Sequence, residues 1–277
     1  MFCGLDFYRC QRAGKGKIMN IKDLLHKIDK IVPFNLTETW DNTGLIVGDN
    51  EMPVSDICLT LDATPDVVCQ AADSKCNVIL THHPLIFTPI NNVDTSSLTG
   101  EAIKKAIKND IAIISLHTNW DKSGLNNALA SALKLDNIRT LQPQKKEDER
   151  IGVIGELPKK VIPDDFLKMV RDAWNLSHVR YHEAKCVKSV SCVAICGGAA
   201  SEFWLDALHE NADIYITAEV KYHHRLAAAH KGLSIIEADH YEMEKFSLSN
   251  LAKLLKKIIK NNIVIINPNI KIKISAQ

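Results

Sequence analysis

Histidine side chains recur beside carboxylates or beside one another at three places in this 277-residue chain. The first is Thr81-His82-His83-Pro84, the second runs from His117 to Asp121, and the third from His240 to Glu244. Imidazole and carboxylate groups together suit zinc, manganese, iron or nickel. Two such ions about 3.5–4 Å apart can activate water for hydrolysis, with a carboxylate bridging them. The residue types therefore predict a divalent-metal site, with Glu244 or Asp121 as the bridge.

Taken singly, the first two clusters each leave an alternative open. Neighbouring side chains of a strand point to opposite faces. His82 and His83 therefore reach one ion only if the backbone bends near Pro84; otherwise they serve two ions. His117 and Asp121 can face the same way if their segment turns helically. The alternative is a solvated loop in which Asp121 caps the next helix.

The third cluster places His240 and Glu244 one helical turn apart, so that the two could chelate an ion jointly. The alternative is a helix N-terminus whose acidic residues, Glu242 and Glu244, complement the helix macrodipole. That alternative accounts for Glu242 better than for His240. Since three separate segments present the same ligand chemistry, a metal site is favoured over three unrelated explanations.

Short β-branched runs alternate with amphipathic stretches along the chain, which predicts an α/β fold. The clearest predicted strands are 56–62, 77–80, 111–116, 187–196, 213–217 and 233–237, and a long helix is predicted from about Met243 to Lys260. Ligand sites of open α/β sheets lie beyond the carboxyl ends of strands, which is where the histidine clusters lie. The polar segment 143–150 predicts a linker between lobe one, 19–142, and lobe two, 151–277.

Bulk properties narrow the class of protein. A formal net charge of +1 argues against general nucleic-acid binding. No apolar run approaches the roughly 20 residues of a membrane-spanning helix. The eight cysteines form no CxxC pair and lie mostly in apolar stretches, which predicts a reducing, cytoplasmic location. Residues 1–18 lack an apolar signal core and are predicted to be an N-terminal extension upstream of Met19, with a weak targeting peptide as the alternative.

As a set, the motifs resemble the NIF-three-like dinuclear metal proteins, also known as GTP cyclohydrolase I type two homologs. The likeness runs from about Met19 to Lys260, and the motifs that carry it occur in the family's order: Trp40–Asp49, Thr81–Pro84, His117–Asp121, Gly197-Gly198, Thr217–His223 and His240–Glu244. Together they are highly specific.

The resemblance implies two divalent ions held by five ligands: His82, His83, Asp121, His240 and Glu244. In this scheme the adjacent histidines each take one ion and the glutamate bridges the pair. A sixth residue, His117, is predicted to transfer protons or to support a ligand from behind. Residues on the substrate side are predicted to be Trp40, Asn42 and His223.

The family also implies two α/β lobes facing each other across the metal site, and a toroidal homohexamer. The short linker predicts that the ferredoxin-like domain inserted in some members is absent. The implied function is a metal-dependent hydrolase acting on a small molecule, such as GTP or another nucleotide; the alternative is a non-catalytic metal carrier or insertase. A third reading, a nucleic-acid ring, is disfavoured by the near-neutral charge. Asp239 and Ala218 replace glycines common in the family, and Asp239 adds a negative charge beside the predicted metals.

Overall fold

A computed structural model describes residues 18–184 and 187–268, so most of the predicted N-terminal extension lies outside the described residues. The predicted α/β class is confirmed. The strands are β1 (Gly44–Val47), β2 (Asp56–Thr60), β3 (Cys76–Thr81), β4 (Ala112–Ser115), β5 (Asp136–Thr140), β6 (Val153–Val161), β7 (Val179–His182), β8 (Val190–Ile195), β9 (Ile214–Ala218), β10 (Ser234–Ala238) and β11 (Ile263–Ile265). The helices are α1 (Ile21–Ile28), α2 (Pro65–Asp73), α3 (Leu98–Lys108), α4 (Thr118–Trp120), α5 (Asn126–Ala132), α6 (Pro163–Trp174), α7 (Trp204–His209), α8 (Tyr222–His230) and α9 (His240–Leu255).

The first sheet has the strand order β1-β4-β3-β2-β11. Strands β2, β3 and β4 run parallel, while β1 pairs antiparallel with β4 at one edge. Helix α2 connects β2 to β3, and α3 lies between β3 and β4. The Thr64 side chain caps α2 and Pro65 occupies its first turn, as both residue types favour. These crossovers bring the carboxyl ends of three strands to one edge of the sheet.

The second sheet has the order β5-β6-β8-β9-β10-β7. Its strands β8, β9 and β10 run parallel, with antiparallel neighbours on both sides. Strand β5 precedes the predicted 143–150 linker yet belongs to this sheet, and β11 returns to the first sheet from near the end of the described chain. The two sheets are therefore joined by chain crossings on both sides of the linker.

One hydrophobic cluster packs between the sheets and contains side chains of both, among them Leu80 of β3 and Ile216 of β9. Helix α9 contributes Leu248 and Leu251 to it. This helix begins at His240 rather than near Met243 as predicted, because the Asp239 side chain caps its first turn. Within the described ranges, none of the helices has the length and apolar character needed to cross a membrane.

Trp174 ties α6 to α5. Its side chain is 1% exposed, and its indole Nε1 donates to the Leu129 carbonyl at 3.1 Å. We expect Trp174→Ala to lower the free energy of unfolding by about 3–5 kcal/mol, because a large buried ring is lost and a cavity is left. Equilibrium urea unfolding of chelator-treated protein measures the change. Met169→Ala, at a 37% exposed position of the same helix, is the control; a Trp174→Ala change no larger than the control's contradicts the prediction.

Candidate metal centre

The adjacent histidines of the first sheet follow directly on β3. Backbone pairing with the neighbouring strand continues past the strand end, since His82 N donates to the Thr60 carbonyl and His83 N to the Leu61 carbonyl. The two rings lie 4.9 Å apart, centroid to centroid, at an angle of 49°. His82 is buried, at 1% exposed, whereas the His83 side chain is 30% exposed. The pair therefore approaches one centre from two directions, one buried and one open.

His117 and Asp121 lie on a helical turn that follows β4. The Asp121 backbone N–H donates to the His117 carbonyl at 3.0 Å, and Asp121 is only 8% exposed. The solvated-loop alternative for this segment is therefore wrong. Asp121 is the first residue of a π-helix, Asp121–Leu125, placed between α4 and α5. Short π-helical turns of this kind are frequently found at functional sites.

Glu244 occupies the middle of the histidine cluster. His240 and Glu244 are one turn apart on α9, with His240 Nε2 2.9 Å from Glu244 Oε1. On the other side, His83 Nε2 lies 2.9 Å from Glu244 Oε2, and His82 Nε2 lies 3.6 Å from Glu244 Oε1. Glu244 is 2% exposed. One buried carboxylate thus faces three histidines that come from two different sheets.

Three buried ligand atoms at this centre have no hydrogen-bond partner among the described residues: His82 Nε2, Asp121 Oδ1 and Glu244 Oε2. His82 Nε2 and Asp121 Oδ1 lie 3.7 Å apart. Two ligand atoms bound to one tetrahedral ion at about 2.1 Å would lie about 3.4 Å apart. Buried polar atoms are normally paired, so the separation and the missing partners both fit a shared cation. The residues present suit the metal that the family implies.

The ligand atoms also form two overlapping groups. One nitrogen each of His82, His83 and His117 lie within 4.8 Å of one another, and so do ligand atoms of His83, His240 and Glu244. His117 therefore comes as close to the centre as the predicted ligands do. The structure brings all five predicted ligands and His117 together.

The Nδ1 atom of each of the four histidines at the centre lies within hydrogen-bond distance of an oxygen outside the centre. His82 Nδ1 faces the Leu116 carbonyl at 3.0 Å. The other three face carboxylates, which are Asp62 for His83 at 2.8 Å, Asp41 for His117 at 2.9 Å and Glu219 for His240 at 2.6 Å. Such partners fix the tautomer and ring orientation of metal-binding histidines. All four rings consequently turn Nε2 towards the centre.

The three carboxylate partners were not predicted as site residues. Asp62 follows β2, whose end adjoins the end of β3, so its strand position was a usable signal. Asp41 and Glu219 lie inside the family-like motifs but carry no local pattern that identifies their role. Glu219 adopts a left-handed backbone, φ 51°, which is rare for a residue with a side chain. That conformation directs its carboxylate to His240.

Electrostatics in the metal-free centre favour protonated histidines. Burial alone would lower the pKa of His83, but hydrogen bonds and charges of Asp62 and Glu244 raise it to about 10. Burial is likewise outweighed at His240, where Glu244 and Glu219 raise the pKa to about 9. For Glu244, burial is opposed by His82 and the other histidines, which hold the pKa well below its usual range. The centre therefore carries an anion surrounded by cations when no metal is bound.

Asp121 and Asp41 differ in their environments. Burial raises the pKa of Asp121 despite the nearby histidines. Burial also opposes ionisation of Asp41, but hydrogen bonds from His117 and Thr118 lower its pKa to about 2. Thr118 donates to Asp41 Oδ2 through both its backbone N–H and its hydroxyl. Asp41 is thus a permanent anion behind His117.

A cavity of about 480 Å³ opens onto the centre, lined by Glu38, Trp40, His83, Phe87, His117, Thr118, Asp121, Lys145, Ile151, 197–200, Glu202, Phe203, His240 and Glu244. Trp40, predicted on the substrate side, is 59% exposed and lies 6.1 Å from the His117 ring, centroid to centroid. The volume of the cavity is typical of a site for a small organic molecule. The predicted Trp40 thus lies at the mouth of the cavity.

Two other residues predicted on the substrate side lie elsewhere. Asn42 Nδ2 donates to the Ile86 carbonyl at 2.7 Å, which anchors the loop that carries Phe87. His223 is exposed on α8 and packs against the His224 ring at 4.4 Å. Neither residue lines the cavity.

The two departures from the family pattern leave the ligands in place. Asp239 accepts a hydrogen bond from the Glu242 backbone N–H at 2.9 Å, so its carboxylate caps α9. Ala218 is fully buried at the end of β9. The Asp239 carboxylate therefore caps the N-terminus of the helix that carries His240 and Glu244.

The raised pKa values predict how the metal-free protein responds to pH. Unfolded histidines lose their protons near pH 6.5, whereas folded His83 and His240 keep theirs to about 10 and 9. This stabilisation is complete below pH ~6.5 and is lost as the pH rises through the folded values. We expect the free energy of unfolding to fall from about pH 7 to 9, by about 1.4 kcal/mol per pH unit for each such histidine.

Urea unfolding of chelator-treated protein at several pH values measures this slope. His83→Gln should make it shallower, while His26→Gln, which changes an exposed histidine on α1, should not. A slope that is the same in both variants contradicts the prediction.

Comparisons with known proteins identify the family. A sequence profile of the family described as Duf34/NIF3 (NGG1p interacting factor 3) matches residues 19–271. A Clostridium perfringens relative named GTP cyclohydrolase 1 type 2 homolog is 32% identical over 248 residues, which cover 88% of this chain and 94% of the relative.

Solved structures show the same fold. A Bacillus cereus protein related to NIF3 superposes with a TM-score of 0.82 at 23% identity, covering 92% of this chain and 98% of that one. A Staphylococcus aureus protein superposes with a TM-score of 0.80 at 28% identity, with the same coverage of 92% and 98%. The resemblance found in the sequence is confirmed, and the chain belongs to the Duf34/NIF3 family.

Proposed function

We propose that this chain is a hydrolase that depends on two divalent metal ions. The observation that carries the proposal is the pair of buried, unpartnered atoms His82 Nε2 and Asp121 Oδ1, which lie 3.7 Å apart beside the Glu244 carboxylate. His82 and Asp121 would hold one ion, His83 and His240 would hold the other, and Glu244 would be shared by both. Bound there, the ions would lower the pKa of a water molecule in the cavity towards neutrality.

His117 is assigned the proton transfer. Its Nδ1 is held by the Asp41 carboxylate at 2.9 Å, which leaves Nε2 on the cavity side to accept a proton. A carboxylate behind an imidazole fixes its tautomer and stabilises the protonated ring. The side chain of His117 is 14% exposed, so the group is sheltered yet lines the cavity. Since His117 Nε2 also lies within reach of the first ion, ligation is the competing role.

GTP is the first substrate to test, because the relatives carry the name GTP cyclohydrolase. The corresponding reaction is attack of one water at C8 of the purine, which opens the imidazole ring to a formamide, and hydrolysis of that formamide by a second water, which releases formate and leaves a free amine. The cavity supports a small organic substrate by its volume and by the aromatic side chains of Trp40 and Phe87 at its mouth. A homohexamer, which the resemblance implies, stays a prediction.

A metal carrier is the second candidate. It is favoured by the exposure of His83 and His240, whose side chains are 30% and 28% exposed, so that one ion would be open to exchange with solvent or a partner. A carrier transfers metal to an apo-acceptor and turns over no substrate, which separates it from the hydrolase.

The bridging role of Glu244 predicts that both ions depend on it. We expect elemental analysis of protein purified without chelator to find two ions per wild-type chain, and Glu244→Ala to lose both, because the carboxylate shared by the two ions is removed and each ion keeps only two protein ligands. Glu242→Ala is the control, since Glu242 lies on the same helix but accepts hydrogen bonds from Ser177. Two ions retained in Glu244→Ala contradict the assignment.

The proton-transfer role of His117 predicts a loss of turnover without a loss of metal. With GTP as substrate, we expect metal-dependent formate release, and a kcat about 100- to 10,000-fold lower in His117→Ala at unchanged metal content. His26→Ala provides a histidine control away from the centre. Absence of formate with wild type excludes the cyclohydrolase reaction, and loss of one ion in His117→Ala identifies His117 as a ligand instead.

A further inference from the structure

The side chains of Trp120 and Asn126, on either side of the π-helical turn 121–125, make hydrogen bonds to segments that lie beside Glu244. Asp121 is the first residue of the turn, with Trp120 directly before the turn and Asn126 directly after it. All three residues are buried, with Trp120 1% and Asn126 2% exposed. A β-carbon on Gly124 would overlap the Trp120 ring, so this glycine allows the turn to close under the indole.

Asn126 connects the backbone of Asp121 to the loop after β8. Its Nδ2 donates to the Asp121 carbonyl at 3.0 Å, and its Oδ1 accepts from the Gly197 backbone N–H at 2.8 Å. The next residue, Gly198, has φ +73°, and a β-carbon there would lie 3.0 Å from Glu244 Oε1. A single amide therefore joins the segment that presents Asp121 to the loop that lies against Glu244.

Trp120 makes a second connection, to α9. Its Nε1 donates to Ser247 Oγ at 3.1 Å, and the Ser247 hydroxyl donates to the Glu244 carbonyl at 2.8 Å. Ser247 is 1% exposed. Asn126 therefore bonds directly to the loop beside the Glu244 carboxylate, and Trp120 is linked through Ser247 to the Glu244 carbonyl.

From these contacts we infer that Asn126 is a positioning residue of the metal centre, acting together with the Trp120–Ser247 hydrogen bond. The two connections set the separation between Asp121 and Glu244, and with it the site formed by His82 and Asp121. On the other side of the centre, His83 makes no hydrogen bond to either connection, whereas His240 shares α9 with Ser247 and lies beside Gly198. The inference rests on the proposed function only in taking Asp121 and Glu244 as metal ligands.

The test uses Mn²⁺ as the probe and the full chain as the protein. We expect Asn126→Ala and Ser247→Ala each to weaken binding of one of two Mn²⁺ ions by about 10- to 100-fold, the range found when supporting partners of ligands are removed. Electron paramagnetic resonance should show weaker magnetic coupling between the ions. Asn127→Ala, an exposed neighbour of the same residue type, should match wild type in both measurements.

Two measurements separate positioning from a general role in folding. Urea unfolding of the metal-free variants reports their stability. If a residue only stabilises the fold, its substitution would lower the free energy of unfolding and leave both Mn²⁺ affinities and the magnetic coupling unchanged. That result overturns the inference. Ser247→Ala keeps a helix-favouring residue on α9, so the test stands even if Asn126→Ala fails to fold.

Failure of the hydrolase proposal gives a different pattern. A wild-type chain that binds two coupled Mn²⁺ ions but hydrolyses nothing refutes the hydrolase alone, and the variants still decide the positioning role. A wild-type chain that never binds a second ion overturns both.

Discussion

The buried carboxylate of Glu244 is the constraint around which the centre is arranged. An ionised carboxylate that is 2% exposed is stable only with positive charge or strong hydrogen bonds beside it. In the metal-free chain, histidines supply that charge, with His83 and His240 each 2.9 Å from its oxygens. Divalent ions would supply it when bound, with the histidines neutral. The same geometry therefore suits both states, and metal binding would exchange protons on the histidines for metal cations.

Sheet topology explains why these side chains meet. The first sheet contains four adjacent parallel strands, β11 and β2–β4, and the second contains three, β8–β10. Site residues follow the carboxyl end of nearly every one of them, from Asp62 after β2 to Glu219 after β9. Parallel strands place their carboxyl ends at one edge, so two such edges facing each other surround a single centre. The hydrophobic cluster that spans both sheets holds the edges at this separation.

The candidate ligands could be predicted from the sequence because each lies close to a strand end whose hydrophobic pattern is strong, and the family resemblance set them apart from His117. What the sequence did not reveal depends on contacts between distant segments. Glu219 reaches His240 only through a left-handed backbone, and Asp41 reaches His117 from 76 residues away. The π-helical turn 121–125 is followed by another distant contact, the hydrogen bond from the Gly197 backbone N–H to Asn126 Oδ1. Likewise, β11 joins the first sheet through pairing with β2, which periodicity within one segment does not specify.

The surroundings of the centre bear on whether it acts on a substrate. A carrier needs only a path for an ion, and the partly exposed His83 and His240 provide one. The cavity of about 480 Å³ is larger than an ion requires, and Trp40 and Phe87 place exposed aromatic surface at its mouth. Exposed aromatic surface beside a polar centre is characteristic of sites that cover an organic ligand. Together with an imidazole held by a permanently ionised carboxylate, Asp41 behind His117, these features favour chemistry on a bound molecule over simple metal delivery.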